Sequence, residues 1–379
     1  MTAPKLSPYL AGVRCFACNH AHDPRTLLTV CTVCGMPLRV DYDLAAIRLR
    51  LSDLAGRAAT LWRYRELLPL EEGDETSLAE GFTPLLQVEP NVWVKDEARN
   101  PTGSFKARGM ALAVSMAKHL GARALSAPSA GNAAGALAAY GARARLPVTV
   151  AMPDDTPQPF FAECELYGAT IHRVQGTIAE AGRFLKERGP RDAFDISTLR
   201  EPYRIEGKKT MAYELVEQFA GEIPDVVLYP TGGGTGLIGM WKAFQEMEAL
   251  GWIPRGKRPR FVSVQAAGCA PVVSAFHEGA ERTTPWPNPN TRAYGLRVPS
   301  PLGGFLCLQA LRDTQGTAVA IDEGELQQAT RELAARSGVD VCPEGGAAWA
   351  ALRRLRESSF IRDGDRVVVF NTGAGVKYR

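Results

Sequence analysis

The sequence predicts an α/β protein in which open parallel sheets are flanked by helices, preceded by a small cysteine-rich ribbon. Three observations carry that expectation. Beyond residue 90, short β-rich runs alternate with helical patterns, as in parallel strands joined by crossover helices. Glycine-rich turns lead into helical patterns around Ser104, Gly131 and Gly233. Four cysteines among the first forty residues form two Cys-x-x-Cys pairs.

Composition sets the outer bounds. With 379 residues, 45% hydrophobic and 22% charged, the chain can build a sizeable core, and global disorder is excluded. The 44 Lys+Arg against 41 Asp+Glu leave a net charge of +3 and no basic run, which argues against nucleic-acid binding driven by bulk charge. No apolar stretch approaches the roughly 20 residues a membrane-spanning helix needs. Met1 to Val13 has one lysine and no continuous apolar segment, so it does not read as a secretory signal. Eight cysteines without such a signal point to a reducing, cytoplasmic setting rather than a disulfide framework.

The first element, residues 1–42, contains Cys15-Phe-Ala-Cys18 and Cys31-Thr-Val-Cys34-Gly35. Two such knuckles can place four thiolates around one tetrahedral Zn²⁺; two adjacent disulfides or four free thiols are the bland alternatives. Four cysteines complete a closed site, so its expected role is structural, and His20 and His22 are expected to be loop residues rather than ligands. From Asp43 to Arg65 the spacing of Leu44, Ile47, Leu51, Leu54 and Leu61 suggests an amphipathic helix. Glu71 to Ser77 then reads as an acidic loop.

Strands are expected at Val92–Val94, Ala124–Pro128, Val148–Met152, Thr170–Val174, Val226–Tyr229, Arg260–Gln265 and Arg366–Phe370. Helices are expected at Ala107–His119, Ala133–Ala144, Phe160–Tyr167, Glu206–Phe219, Leu237–Leu250, Glu323–Arg336 and Ala347–Glu357. Thr283 to Tyr294, with three prolines, reads as an irregular excursion.

The three turns carry the chemistry, because ligands in open parallel sheets collect at the carboxyl ends of strands. In Asn100-Pro-Thr-Gly-Ser-Phe-Lys106, Ser104 reads as an N-cap, placing Lys106 in a first helical turn where a cation opposes the helix dipole. A surface lysine is the bland reading. Desolvation of that amine would lower its pKa and favour Schiff-base chemistry. Ser129-Ala-Gly-Asn132 opens a small-residue helix whose amides suit a carboxylate, although close helix packing accounts for its glycine and alanine equally well. Thr231-Gly-Gly-Gly-Thr-Gly236 forms an anion nest fit for phosphate; it is neither GxGxxG nor a Walker loop, which disfavours dinucleotides and ATP.

In this order the turns resemble the fold-type II enzymes that use pyridoxal 5′-phosphate (PLP), a two-lobed architecture like the tryptophan synthase β chain, and most closely the threonine synthases among them. The matching pieces are Glu80-Gly-Phe-Thr-Pro84, Lys95-Asp-Glu97, Asn100–Gly109, Ser129–Asn132, Glu206–Thr210, Thr231–Gly236 and Asn371–Lys377. An N-terminal zinc-ribbon-like segment is similar to that of some members. The resemblance implies a catalytic region over residues 43–379, with a smaller lobe at approximately 107–195, in a homodimer. It implies that Lys106 binds PLP covalently and then moves protons, that Asn132 contacts the 3′-oxygen, that Gly232, Gly233, Gly234, Thr235 and Gly236 hold the phosphate, and that Thr372 meets the pyridine nitrogen. A neutral hydroxyl there does not force that nitrogen to be protonated, which suits elimination and replacement better than transamination.

For threonine synthases the implied substrate is O-phospho-L-homoserine, giving threonine and phosphate by γ-elimination and β-addition of water. A second phosphate then needs its own donors. Ser197, Thr198, Arg204 and Lys208 supply hydroxyls and cations, with Arg204 as the fork-shaped anion clamp and Ser129 the next candidate. Surface pairing of Arg204 and Lys208 with carboxylates is the alternative. Two positions depart from the family pattern: Ala133 stands where many relatives carry threonine, and Ala374 at a commonly polar position. The rival readings are a serine/threonine dehydratase, a cysteate synthase or a diaminopropionate ammonia-lyase. A nucleic-acid-binding ribbon on a scaffold ranks far behind, because only Arg25 is basic between Cys18 and Cys31 and no aromatic side chain lies there to stack on bases.

Overall fold

The computed structural model describes residues 5–379, so the first four residues of the Met1–Val13 stretch lie outside the description. In chain order the strands are β1 (Leu10–Cys15), β2 (Ala21–His22), β3 (Leu38–Tyr42), β4 (Leu85–Glu89), β5 (Val92–Asp96), β6 (Ala124–Pro128), β7 (Val148–Pro153), β8 (Thr170–Val174), β9 (Ala193–Asp195), β10 (Val226–Pro230), β11 (Arg260–Ala266), β12 (Thr317–Ile321) and β13 (Val367–Asn371). The helices are α1 (Lys106–His119), α2 (Asn132–Ala144), α3 (Gln158–Leu166), α4 (Ile178–Arg188), α5 (Tyr203–Gln218), α6 (Thr235–Ala249), α7 (Pro271–His277), α8 (Gly304–Asp313), α9 (Glu323–Ser337) and α10 (Pro343–Glu357). Among the described residues no helix is long and apolar enough to cross a membrane.

The chain forms two compact units. The first comprises Met1–Phe82, Asn100–Thr102 and Lys106–Thr210; the second comprises Thr83–Arg99, Gly103–Phe105 and Met211–Arg379. In the first, an antiparallel ribbon ordered β2-β1-β3 accompanies a parallel sheet ordered β8-β7-β6-β9. Helices α2 and α4 pack on β6 and β7, and α1 packs on α2. All residues of α1 from Ala107 to Ala117 are buried, the pattern of a helix enclosed on every side rather than of an amphipathic surface helix.

In the second unit the sheet is ordered β12-β11-β10-β13-β5-β4, parallel except for the antiparallel edge strand β4. Strands β10 (VVLYP) and β13 (VVVFN) are buried throughout, near-continuous apolar runs of the kind that parallel sheets covered on both faces require. Val94, Leu228, Val262, Val369, Leu333 and Trp349 share one core beneath α9 and α10.

The expected alternation is present, with boundaries mostly within two residues. The amphipathic helix over Asp43–Arg65 is not. That stretch folds as short 3-10 turns at Leu51–Leu54 and Leu61–Leu67. The Arg63 guanidinium donates to the carbonyls of Leu54 (2.9 Å), Arg57 (3.0 Å) and Ala58 (2.8 Å), taking acceptors that a continuous helix would pair with its own amides. Nor is Ser104 an N-cap: α1 begins at Lys106, and Ser104 forms a bridge with Gly373.

Candidate functional site

Each sheet has one place where the order of its parallel strands reverses, and the sequence candidates that lie outside α1 and α5 follow the strands on either side of it. In the first unit the reversal falls between β6 and β9, which pair through Ser126 and Asp195. Ser129 and Asn132 follow the carboxyl end of β6, while Ser197 and Thr198 follow that of β9. In the second unit it falls between β10 and β13, which pair through Leu228 and Val369. Gly232–Gly236 follow β10 and Thr372 follows β13. Crevices outside such switch points are where open α/β sheets bind ligands.

Ser129 is buried and locally engaged. Its hydroxyl accepts from the amides of Ala134 (3.0 Å) and Gly131 (3.3 Å) and donates to the Gly131 carbonyl (3.1 Å), closing the first turn of α2. Asn132 is the first residue of that helix and Lys106 the first of α1; both are half-buried.

The segment after β9 is built around two carboxylates. Asp195 accepts from the Ser197 amide (2.8 Å) and from the Ser197 hydroxyl. Glu201 accepts from the amides of Tyr203 (2.7 Å) and Arg204 (2.9 Å), capping α5. Burial pushes the Glu201 carboxyl up to about 7, although the Arg204 guanidinium and the two amides pull it down. The same burial lowers the pKa of Arg204. Arg204 donates through one terminal nitrogen to the Ile196 carbonyl (2.9 Å), while its buried Nε has no partner among the described residues. Lys208 is fully buried and Thr198 half-buried.

Helix α5 meets α1 backbone to backbone. A Cβ on Gly207 would overlap the Arg108 carbonyl and lie 3.0 Å from the Gly109 amide nitrogen. A Cβ on Gly109 would meet Lys208 Cε at 3.1 Å and the Arg204 carbonyl oxygen at 3.2 Å. The two glycines therefore bring Arg204 and Lys208 against the first turn of the helix that Lys106 begins.

In the second unit, Gln265 donates to the Thr231 carbonyl (2.9 Å) and fixes the entry to the glycine loop. Gly234 takes φ +83° as the N-cap of α6, and a side chain there would run into Cys307 Sγ. Among the described residues no carbonyl accepts from the amides of Gly232, Gly233 or Gly234, so free donors precede the positive end of α6. That donor set fits a phosphate.

Thr372 is buried, and its carbonyl accepts from the Phe105 amide at 3.1 Å, directly before Lys106 in the chain. Its hydroxyl lies 3.8 Å from Cys342 Sγ, which also accepts from the Gly345 amide (3.3 Å) at the start of α10. Burial raises that thiol well above the ordinary range, keeping it protonated. Beside it, Glu344 accepts from the Gly295 amide (2.7 Å) and the Tyr378 hydroxyl (3.1 Å). The sequence reading misses Cys342, Glu344 and Glu201; the only local signal was Cys342-Pro343 at a helix start.

The Glu80-Gly-Phe-Thr-Pro84 motif is held by its glutamate. Fully buried Glu80 accepts from Trp62 Nε1 (2.6 Å), the Tyr140 hydroxyl (2.5 Å) and the Leu78 amide (2.8 Å), a clasp between the loop and α2.

The four N-terminal cysteines converge, with their sulfurs all within 4.8 Å of one another. Sγ separations are 3.4 Å for Cys15–Cys34, 3.6 Å for Cys18–Cys31 and 3.5 Å for Cys18–Cys34. A tetrahedron with Zn–S bonds of about 2.3 Å has edges of about 3.8 Å, so the cage fits that ion closely. Amides point at the leading sulfur of each knuckle: Ala17 at Cys15 (3.3 Å) and Val33 at Cys31 (3.4 Å). Burial opposes the Cys31 thiolate, yet the amides of Cys34 and Val33 prevail and bring it down to about 5. His20 and His22 are outside the cage, packed edge to face on each other at 5.0 Å.

Residues 76–373 match the family described as pyridoxal-phosphate dependent enzyme. The chain is similar to the threonine synthase of Methanocaldococcus jannaschii, 33% identical over 376 residues that cover 96% of this chain and 92% of the relative. It is also similar to the threonine synthase of Methanosarcina acetivorans, 31% identical with 95% and 91% covered. Among solved structures, the processed form of threonine deaminase isoform 2 from Solanum lycopersicum superposes with a TM-score of 0.65 at 22% identity, covering 77% of this chain and 83% of that one. An L-serine ammonia-lyase from Rhizomucor miehei gives 0.66 at 20% identity, covering 78% and 97%. Both are likenesses of fold alone.

Proposed function

Because the chain belongs to the pyridoxal-phosphate-dependent enzymes and, among them, to the threonine synthases, we propose that it converts O-phospho-L-homoserine and water into L-threonine and phosphate. The observation that carries the reading from this chain's own geometry is the buried Arg204, with an unmatched Nε–H donor, pressed with Lys208 against the first turn of α1. An unmatched buried donor on a guanidinium is costly unless an anion completes it.

Bound PLP supplies the electron sink that acidifies the hydrogens on the substrate's α- and β-carbons. Lys106 holds the cofactor and carries protons between those carbons. Asn132 contacts the cofactor's 3′-oxygen, Gly232, Gly233, Gly234, Thr235 and Gly236 grip its phosphate, and Thr372 addresses its ring nitrogen. Arg204 and Lys208, with Ser197, Thr198 and Ser129, receive the substrate's phosphate. Cys15, Cys18, Cys31 and Cys34 bind one structural Zn²⁺ in a ribbon of residues 1–42, and residues 43–379 form the catalytic region. The enzyme works as a homodimer in the cytoplasm, a reducing setting in keeping with four metal-binding thiolates in the ribbon and four buried thiols, Cys164, Cys269, Cys307 and Cys342, in the catalytic region.

Purified protein should be yellow and release phosphate from O-phosphohomoserine in step with threonine, and Lys106→Ala should abolish both the colour and the turnover. Arg204→Ala should leave the colour and raise KM by about 10–100-fold, the loss of a charge-assisted anion contact. A colourless protein would overturn the cofactor assignment. A yellow protein that deaminates serine or threonine and ignores phosphohomoserine would move the activity to the dehydratases.

A further inference from the structure

The metal ribbon has a mechanical task that its closed site alone does not reveal. Strand β3 ends at Tyr42, and the Lys209 ammonium of α5 lies 4.1 Å from the centroid of that ring. Lys209 also pairs with Glu206 at 2.6 Å, and both side chains are fully buried. Two turns earlier, Tyr203 is 2% exposed and its hydroxyl lies 3.5 Å from the carbonyl of Pro24, in the loop between the two cysteine knuckles. Two separate parts of the ribbon thus touch α5, and they touch the stripe Tyr203, Glu206 and Lys209.

Arg204, Gly207 and Lys208 form another stripe, which meets α1. At about 100° per residue the two stripes are centred roughly 150° apart, on nearly opposite faces of α5. The first turns of α5 are therefore held between the helix that Lys106 begins and the ribbon.

We propose that the zinc ribbon is a buttress that keeps the anion-binding face of α5 against α1, with Tyr42 and Lys209 as positioning residues. This rests on Arg204 and Lys208 receiving the substrate phosphate and on the four cysteines holding zinc. A buried ammonium needs compensation, and the Tyr42 ring supplies part of it beside Glu206. Without the ring, water enters at Lys209 and α5 can draw back from α1.

The test compares Tyr42→Leu with Tyr42→Phe in the full-length protein loaded with zinc and PLP. Tyr42→Leu should speed amide hydrogen exchange at residues 204–210 by about 3–30-fold and raise the KM for O-phosphohomoserine to a similar degree. Its kcat should stay within about twofold, with zinc content and cofactor absorbance unchanged; Tyr42→Phe, which keeps the ring, should behave as wild type. Stripping zinc from the wild type should loosen the same amides. Unchanged exchange in Tyr42→Leu or in the stripped protein overturns the proposal, as does a Tyr42→Phe protein as impaired as Tyr42→Leu. If wild type ignores phosphohomoserine the substrate reading has failed, and exchange along α5 still decides the buttress.

Discussion

Replacing Gly207 with alanine perturbs the closest approach between α1 and α5. The three atoms nearest the new methyl would all be α1 backbone, namely the Arg108 carbonyl oxygen and carbon and the Gly109 nitrogen. Even the most distant would be at 3.0 Å, inside ordinary van der Waals contact, and none can rotate away. The helices must part by on the order of 1 Å, at an overpacking cost of about 1–3 kcal/mol. For catalysis the cost is larger in proportion, since a displacement of that size at a reacting centre lowers rate by about 10²-fold. The assay is coupled phosphate release, giving kcat/KM, alongside thermal unfolding. Tm should fall by about 2–6 °C and kcat/KM by about two orders of magnitude, with the cofactor absorbance retained. Gly324→Ala is the control: nothing lies within 4 Å of that site in α9, and alanine there should stabilise by about 0.5–1 kcal/mol. A Gly207→Ala enzyme within twofold of wild type would refute the reasoning.

Other outcomes follow from groups already described. Glu201, raised to about 7, stays protonated in the fold where the unfolded chain is already ionised. Wild type should therefore lose stability relative to Glu201→Gln as pH rises from about 4.5 to 7, by up to about 1.4 kcal/mol per unit, and level off above; denaturant titrations at several pH values measure this. Lys95 and Glu214 form a fully buried pair at 2.8 Å, with the ammonium also donating to the Thr83 carbonyl (2.7 Å) and Gln218 (2.9 Å). Glu214→Ala should cost about 3–5 kcal/mol in chemical unfolding, because it leaves a charge buried without its counter-ion. Cys34→Ser should bring zinc content well below one ion per chain by elemental analysis, since the cage loses one of four thiolates.

Much of the fold was legible because the second unit's strands are short apolar runs between turn signals. β10 and β13 are read from valines that no other element type explains as well. The Asp43–Arg65 stretch was not, because the periodicity of its leucines says nothing about the distant-donor role of Arg63. Helix α4 carries a capping box from Thr177 to Glu180 that would have revealed it. At the candidate site, the loops after β6 and β10 announce themselves by local composition. Arg204 is different: its burial depends on Gly207 meeting Gly109, two residues nearly a hundred positions apart. The nearness of Cys342 to Thr372 likewise depends on α10 and β13 converging in space.

The pairing of β5 with β13 also sets a timetable for synthesis. The Asp96–Asn371 hydrogen bond spans 275 residues, so one edge of β5 waits for a strand made that much later. At about 5–20 residues per second, Val92 and Val94 leave the ribosome roughly 15–55 s before their partner. Through that interval the nascent chain holds an apolar strand with an open edge, the kind of surface that recruits chaperones or other copies of itself. The strand that seals this edge of the sheet therefore emerges long after the strand it pairs with.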